Sequence, residues 1–184
     1  MSIKLSDRDV ATIALLLSAE RLAALTELTG STREAIGLHQ QTLQLGASLM
    51  TVIAVIEIAL RNSICERLSQ HFGVAGWLSR PPTPFKWRAD EKRSINRALA
   101  AARRATYAKM SQAEKHALDS LAYPNGRPTT ISHSERSLAR QAHIKVSEGK
   151  VIAELTMYFW KRLFSGDYEE SLWKRSLKRT FPNK

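Results

Sequence analysis

The residues best suited to chemistry are Glu57-Ile-Ala-Leu-Arg61-Asn62, followed nine residues later by His71. Glu57 interrupts the strongest apolar stripe of the chain, where an unpaired carboxylate would be costly. Arg61 lies one helical turn on, so the two share a face and read as a structural ion pair that fixes helix register. The other reading gives Arg61 to a phosphate, with Asn62 hydrogen-bonding beside it. Chemistry at that phosphate would need, beside the cation, an acid or base within hydrogen-bond reach. His71 is the nearest histidine, which makes Arg61, Asn62 and His71 the candidate catalytic set. Ten residues of helix separate Arg61 and His71 by about 15 Å along the axis. They meet only if the chain turns after Leu68 or a second copy supplies one of them.

Other reaction classes lack their signatures. There is no G-x-G-x-x-G or Walker loop to cradle a nucleotide phosphate, and no G-x-S-x-G elbow. His39, His71, His116, His133 and His143 form no H-x-x-x-H pair, and the single cysteine, Cys65, excludes a disulfide framework and a four-cysteine zinc site. No metal and no cofactor is expected.

Charge supplies the second signal. The chain carries 28 Lys plus Arg against 17 Asp plus Glu, a formal +11. Residues 1–60 hold 4 basic and 6 acidic side chains, whereas residues 61–184 hold 24 and 11, so the excess is confined to the second two-thirds. An anionic partner, RNA or DNA, fits that asymmetry. Two stretches carry it. Lys86 to Lys109 holds eight basic residues with Trp87 and Tyr107 interleaved, Arg93, Arg97, Arg103 and Arg104 among them. The last stretch holds Lys174-Arg175 and Lys178-Arg179, two pairs one helical turn apart. Each stretch alone reads equally well as a solvated helix face; together they point to phosphate contacts.

These residues must be carried by helices. Leu and Ala supply 45 residues and Val only 6, which favours helix over sheet. Ser6 to Asp9 caps a first helix that runs through Leu28 and stops at Gly30. Ser31 and Glu34 have capping-box spacing and open a longer one, with the stripe Leu38, Leu45, Leu49, Val52, Ile56, Leu60, Ile64, Leu68. Residues of about 72–88, with Arg80-Pro-Pro-Thr-Pro84, form a connector. Further helices are expected over Asp90–Met110, from Ser111 to Tyr123, over Ser132–Val146, over Lys150–Phe164 and over Glu169–Thr180. Tyr158, Phe159 and Trp160 read as core at helical spacing, or as an interface. The expected fold is all-α, a multi-helix bundle in one domain spanning 1–184.

The most apolar run, Leu49 to Leu60, is 12 residues long and contains Glu57, short of the ~20 a membrane span needs. With no secretory signal at MSIKLSDRDV, the expected location is the cytoplasm, without a membrane partner.

Two blocks resemble a known family. Ala35-Ile-Gly-Leu leading into Val55-Ile-Glu-Ile-Ala-Leu-Arg-Asn62 resembles the Abi-like (abortive infection) proteins of bacteria. So does Gly149-Lys-Val-Ile-Ala-Glu-Leu-Thr-Met-Tyr-Phe-Trp160, followed by Leu163-Phe-Ser, Tyr168, Leu172-Trp173 and Phe181-Pro182. Ser18-Ala-Glu-Arg-Leu22 fits the family's opening, and residues 80–148 match loosely. The resemblance implies a HEPN-like helical bundle of the kind found in metal-independent endoribonuclease toxins, often dimeric, acting in phage defence. The partners it implies are RNA, an antitoxin (RNA or protein) and a second copy of the chain. It also implies an R-N…H-H catalytic run shortly beyond Phe181-Pro182, whereas the sequence stops at Lys184. Arg61-Asn62 resembles the first half of that run, but Cys65, Glu66 and Arg67 stand at the histidine positions. The expectation is therefore a toxin-type, RNA-targeting protein lacking the C-terminal catalytic segment and weak in catalysis. The alternative is a non-catalytic RNA-binding or toxin–antitoxin interaction module.

Overall fold

A computed structural model describes residues 5–126 and 128–181, and among them every regular element is helical. The chain groups into two compact units, Met1–Ala59 and Leu60–Lys184.

In the first unit, Ser6 caps α1 (Asp7–Leu17) reciprocally with Asp9, as the spacing requires. The single helix expected through Leu28 is instead two. Ser18 takes φ +67°, a left-handed conformation that ends α1, and its hydroxyl then accepts from the Arg21 amide to start α2 (Ala19–Thr29). Gly30 stops α2 at φ +80°, where glycine carries no Cβ penalty. Leu22, Ala35 and Ile36 are buried, and Arg33 reaches Asp7 and the Leu5 carbonyl.

Helix α3 (Thr32–Phe72) begins at Ser31, whose hydroxyl accepts from the Glu34 amide at 3.2 Å, and it runs unbroken through Gly37 and Gly46. Its apolar side chains are not a buried stripe over the middle of its length. Leu43, Leu45, Leu49, Met50, Val52, Ile53, Val55, Ile56 and Ile58 are each more than half exposed. An 18-residue window of α3 has a mean hydropathy of 2.0, so the helix is long and apolar enough to cross a bilayer. Counting only the uninterrupted apolar run from Leu49 understated this, because Leu43 and Leu45 extend the window beyond Gln44, Gly46 and Ser48.

The second unit has the substantial core. The last three turns of α3 contribute Ile64, Leu68 and Phe72. The connector adds Trp77, Leu78 and Trp87, and is not free chain: the Glu148 carboxylate accepts from the Gly76 and Leu78 amides at 3.2 and 2.7 Å, and the Trp87 indole donates to the Leu78 carbonyl at 2.8 Å. Helix α4 (Ala89–Ala108) buries Glu91, Ile95, Ala98 and Ala102, spaced four, three and four apart, and packs on α6 (His133–Ala142) and α7 (Glu148–Glu154). Helix α5 (Gln112–Ala122) starts at a Ser111–Glu114 capping box, and α6 at a Ser132–Glu135 one.

Two expected helices are shorter or broken. The 150–164 stretch divides at Leu155, whose extended backbone (φ −73°, ψ 132°) separates α7 from α8 (Met157–Arg162). Beyond Gly166 a wide turn at Glu169–Trp173 and a 3₁₀ turn at Leu177–Thr180 replace the regular helix, because Ser176 leaves helical geometry at φ −144°. Leu172, Ser176 and Leu177 are all buried there. Core packing, not helix continuity, shapes this end.

Three polar links lock the second unit. Glu91, 1% exposed, accepts from the Tyr168 hydroxyl at 2.6 Å and from Arg162 Nε at 2.8 Å. Burial pushes the Glu91 carboxyl up, but those two donors outweigh it and hold it below the usual carboxylate range. Asp119 of α5 takes a two-pronged contact from Arg140 at 2.6 and 2.7 Å and a further one from Arg136. The same Arg140 donates to the Tyr107 hydroxyl at 3.1 Å, which ties α4, α5 and α6 together.

Candidate nucleic-acid interface

The packing of α4 decides which of its cations face water. With Glu91, Ile95, Ala98 and Ala102 turned inward, positions 93, 97 and 104 fall on the outer side, four and seven residues apart. Arg93, Arg97 and Arg104 line a groove of about 610 Å³ that continues onto Thr156 and Tyr158 at the start of α8. Asp90 and Glu154 line it too, and Asp90 pairs with Arg93. Arg97 and Arg104 are exposed and form no hydrogen bond or ion pair with another described residue.

Tyr158 is the residue that sequence reasoning misplaced. Its neighbours Phe159 and Trp160 are buried, but Tyr158 is 59% exposed in the groove. Adjacent positions on a helix point about 100° apart, so three consecutive aromatics could not all enter one core. Trp87 and Tyr107 move the other way. The indole of Trp87 is in the core, and the Tyr107 ring has Lys115 Nζ over it at 5.0 Å; neither lines the groove with the arginines.

Arg103 departs from its expected role: it is half-buried and donates Nε to the Ile144 carbonyl at 3.2 Å. The C-terminal cations do not make a helical stripe, because Ser176 divides them. Lys174 pairs with Glu170, and Arg175 Nε donates to the Glu170 carbonyl at 3.1 Å. Lys178 and Arg179 follow on the 3₁₀ turn, where the Arg179 carbonyl accepts from Arg67 Nη2 at 3.3 Å.

The candidate catalytic set is not assembled. Arg61, Asn62 and His71 all lie on α3, which stays helical to Phe72, so no turn after Leu68 folds His71 back. The ten-residue offset is thus about 15 Å along the axis. Arg61 is half-buried and its Nη1 reaches the Ala153 carbonyl at 3.5 Å, while Asn62 is exposed. Glu57, four residues before Arg61 on α3, is half-buried as well, so the expected pair is not deep in a core. Cys65 is no nucleophile at neutral pH, since burial pushes its thiol up to about 11. Among the described residues no group of His, Cys, Asp and Glu could hold a metal ion.

His71 has a different arginine for company. It opens onto a cleft shared with Arg175, and its imidazole is held below the usual histidine value, first by partial burial and then by the Arg175 charge. Following the His71 ring signals by NMR should give a midpoint below 6.5, and Arg175→Ala should raise it. A midpoint that ignores the substitution would separate the two side chains.

No family model, no characterised protein and no solved structure matches this chain.

Proposed function

We propose that residues 60–184 bind single-stranded RNA through the α4 groove and do not cut it, serving as the RNA-binding part of an Abi-like, HEPN-related phage-defence protein. The observation that carries the reading is the groove itself: three arginines on one helix face, two of them without a partner among the described residues, beside an exposed tyrosine. Arginines track a phosphate backbone, and an aromatic ring accepts a base by stacking without needing its sequence. Single strands suit this combination better than duplex, whose bases are already stacked. The Abi-like context rests on the resemblance of residues 55–62 and 149–173, and the RNA reading does not depend on it.

The non-cutting half of the reading is supported by the distance between Arg61 and His71 within one chain. A cation and a general base must act on one phosphodiester, and α3 holds Arg61 and His71 apart.

One experiment addresses both halves. Purified, EDTA-treated protein is titrated into a labelled single-stranded oligoribonucleotide at several salt concentrations, and the recovered RNA is then run on a gel. With three phosphates neutralised, log affinity should fall against log salt with a slope of about −2, taking about −0.7 per phosphate for single strands. The RNA should be recovered intact. Salt-independent affinity would sink the groove; cleavage abolished by both Arg61→Ala and His71→Ala would restore the catalytic reading.

A further inference from the structure

The cleft beside His71 shares no lining residue with the α4 groove. It measures about 520 Å³, within the range of small-molecule pockets, and lies between the end of α3, residues 82–88 and residues 167–175. One wall is aromatic. Phe72 and Phe85 have ring centroids 5.1 Å apart, and Phe85 and Tyr168 6.2 Å. Phe72 and Tyr168 are buried, so half-buried Phe85, just after Pro84, is the one of these three rings with surface left to offer a ligand.

The polar side of the cleft has charge to spare. Its carboxylates are already engaged: Asp167 by Arg88 at 3.1 Å and by Arg162 at 3.4 Å, Glu170 by Lys174. Two of its cations are not. Lys86 makes no ion pair with a described residue, and Arg175 commits only Nε, to a backbone carbonyl, which leaves both terminal nitrogens as donors. The Ser171 hydroxyl and the His71 imidazole likewise take part in no hydrogen bond among the described residues. An aromatic ring, an arginine fork, an ammonium and a hydroxyl lining one cleft match a flat ring joined to a phosphate.

We propose that this cleft binds a nucleoside monophosphate unit, its base against Phe85 and its phosphate between Lys86 and Arg175. That unit is either a free nucleotide or the phosphorylated end of an RNA strand. A carboxylate ligand would use the arginine fork but leave the aromatic wall empty, and an uncharged aromatic would leave the cations unanswered.

The test titrates the whole protein by calorimetry with AMP, adenosine and inorganic phosphate. AMP should bind at least tenfold more tightly than either fragment, because only AMP engages both walls. Lys86→Gln with Arg175→Gln, both at exposed positions, should reduce AMP affinity at least tenfold and leave adenosine unchanged. Arg97→Glu with Arg104→Glu should leave AMP binding intact, so failure here and failure of the α4 groove are separate results. Amide shifts at Phe85, Lys86 and Ser171 on adding AMP to the unsubstituted protein give a readout that needs no variant. An oligoribonucleotide with a 5′-phosphate that binds at least fivefold better than its 5′-hydroxyl twin assigns the site to strand ends. Equal binding of the twins, with AMP still bound, assigns it to free nucleotide. AMP no tighter than phosphate, or indifferent to the double substitution, overturns the proposal.

Discussion

Glu91→Ala lowers the melting temperature of the protein by roughly 10 °C. The carboxylate is 1% exposed and answers two donors, the Tyr168 hydroxyl and Arg162 Nε. Arg162 keeps Asp167 at 3.4 Å, so the loss falls mainly on the buried Tyr168 hydroxyl and the emptied carboxylate site, about 3 kcal/mol, and each kcal/mol moves the midpoint by about 2–4 °C in a chain of this size. Here the orphaned Tyr168 hydroxyl also supports the connector, since it accepts from the Arg88 amide at 3.1 Å. Glu91→Gln should cost less, because an amide oxygen still accepts from Tyr168. The pH dependence has a fixed sign. The folded protein holds this carboxyl below its ordinary value, so its contribution is present above the usual carboxylate range and is lost as pH falls through the folded value. The gap in melting temperature between wild type and Glu91→Ala should thus narrow as the pH is lowered below the usual carboxylate range. Equal melting temperatures at pH 7 would mean that the pair contributes nothing net.

That link was invisible in the sequence, and the reason is spacing. Glu91 meets Arg162 and Tyr168 across 71 and 77 residues, and no local pattern marks such a pair. What local physics controls was legible. Ser6, Ser111 and Ser132 each stand three residues before an acid, and each caps a helix reciprocally. The glycine-and-proline stretch at 73–84 breaks the chain where expected, and the stripe from Leu38 onward belongs to one helix. The breaks at Ser18, Leu155 and Ser176 were not legible, because none is a glycine or proline; each backbone obeys its surroundings.

The candidate site divides along the same line. Charge composition placed the cationic excess in the second two-thirds, and the α4 sequence held Arg93, Arg97 and Arg104. The sequence could not tell Arg103 from Arg104, because the difference lies in which side of α4 meets Ile144. Nor could it separate Tyr158 from Phe159, since the inward direction of α8 is set by core contacts from other elements. For Arg61 and His71 the periodicity already gave the distance. Only the unbroken course of α3 removed the turn that would have closed it.

Reversing Arg97 and Arg104 together to glutamate weakens RNA binding by roughly 30- to 150-fold at 0.15 M salt. Each cation at about 4 Å from a phosphate is worth about 1 kcal/mol in water, and reversal turns that attraction into repulsion. Screening over about 8 Å trims the combined loss to ~2–3 kcal/mol. Both side chains are exposed and without internal partners among the described residues, so the fold should not move, and the circular dichroism melt of the variant checks this. The salt slope should flatten from about −2 toward −0.7, leaving the Arg93 contact. Tyr158→Ala gives the contrasting signature. Loss of one stacked base costs ~1–3 kcal/mol, but the slope should stay near −2, because no ion is released by a neutral ring. Slope and affinity thus report different parts of one groove. If the double reversal leaves the slope unchanged, the phosphates lie elsewhere, and Lys178 and Arg179 on the C-terminal turn become the next cations to reverse.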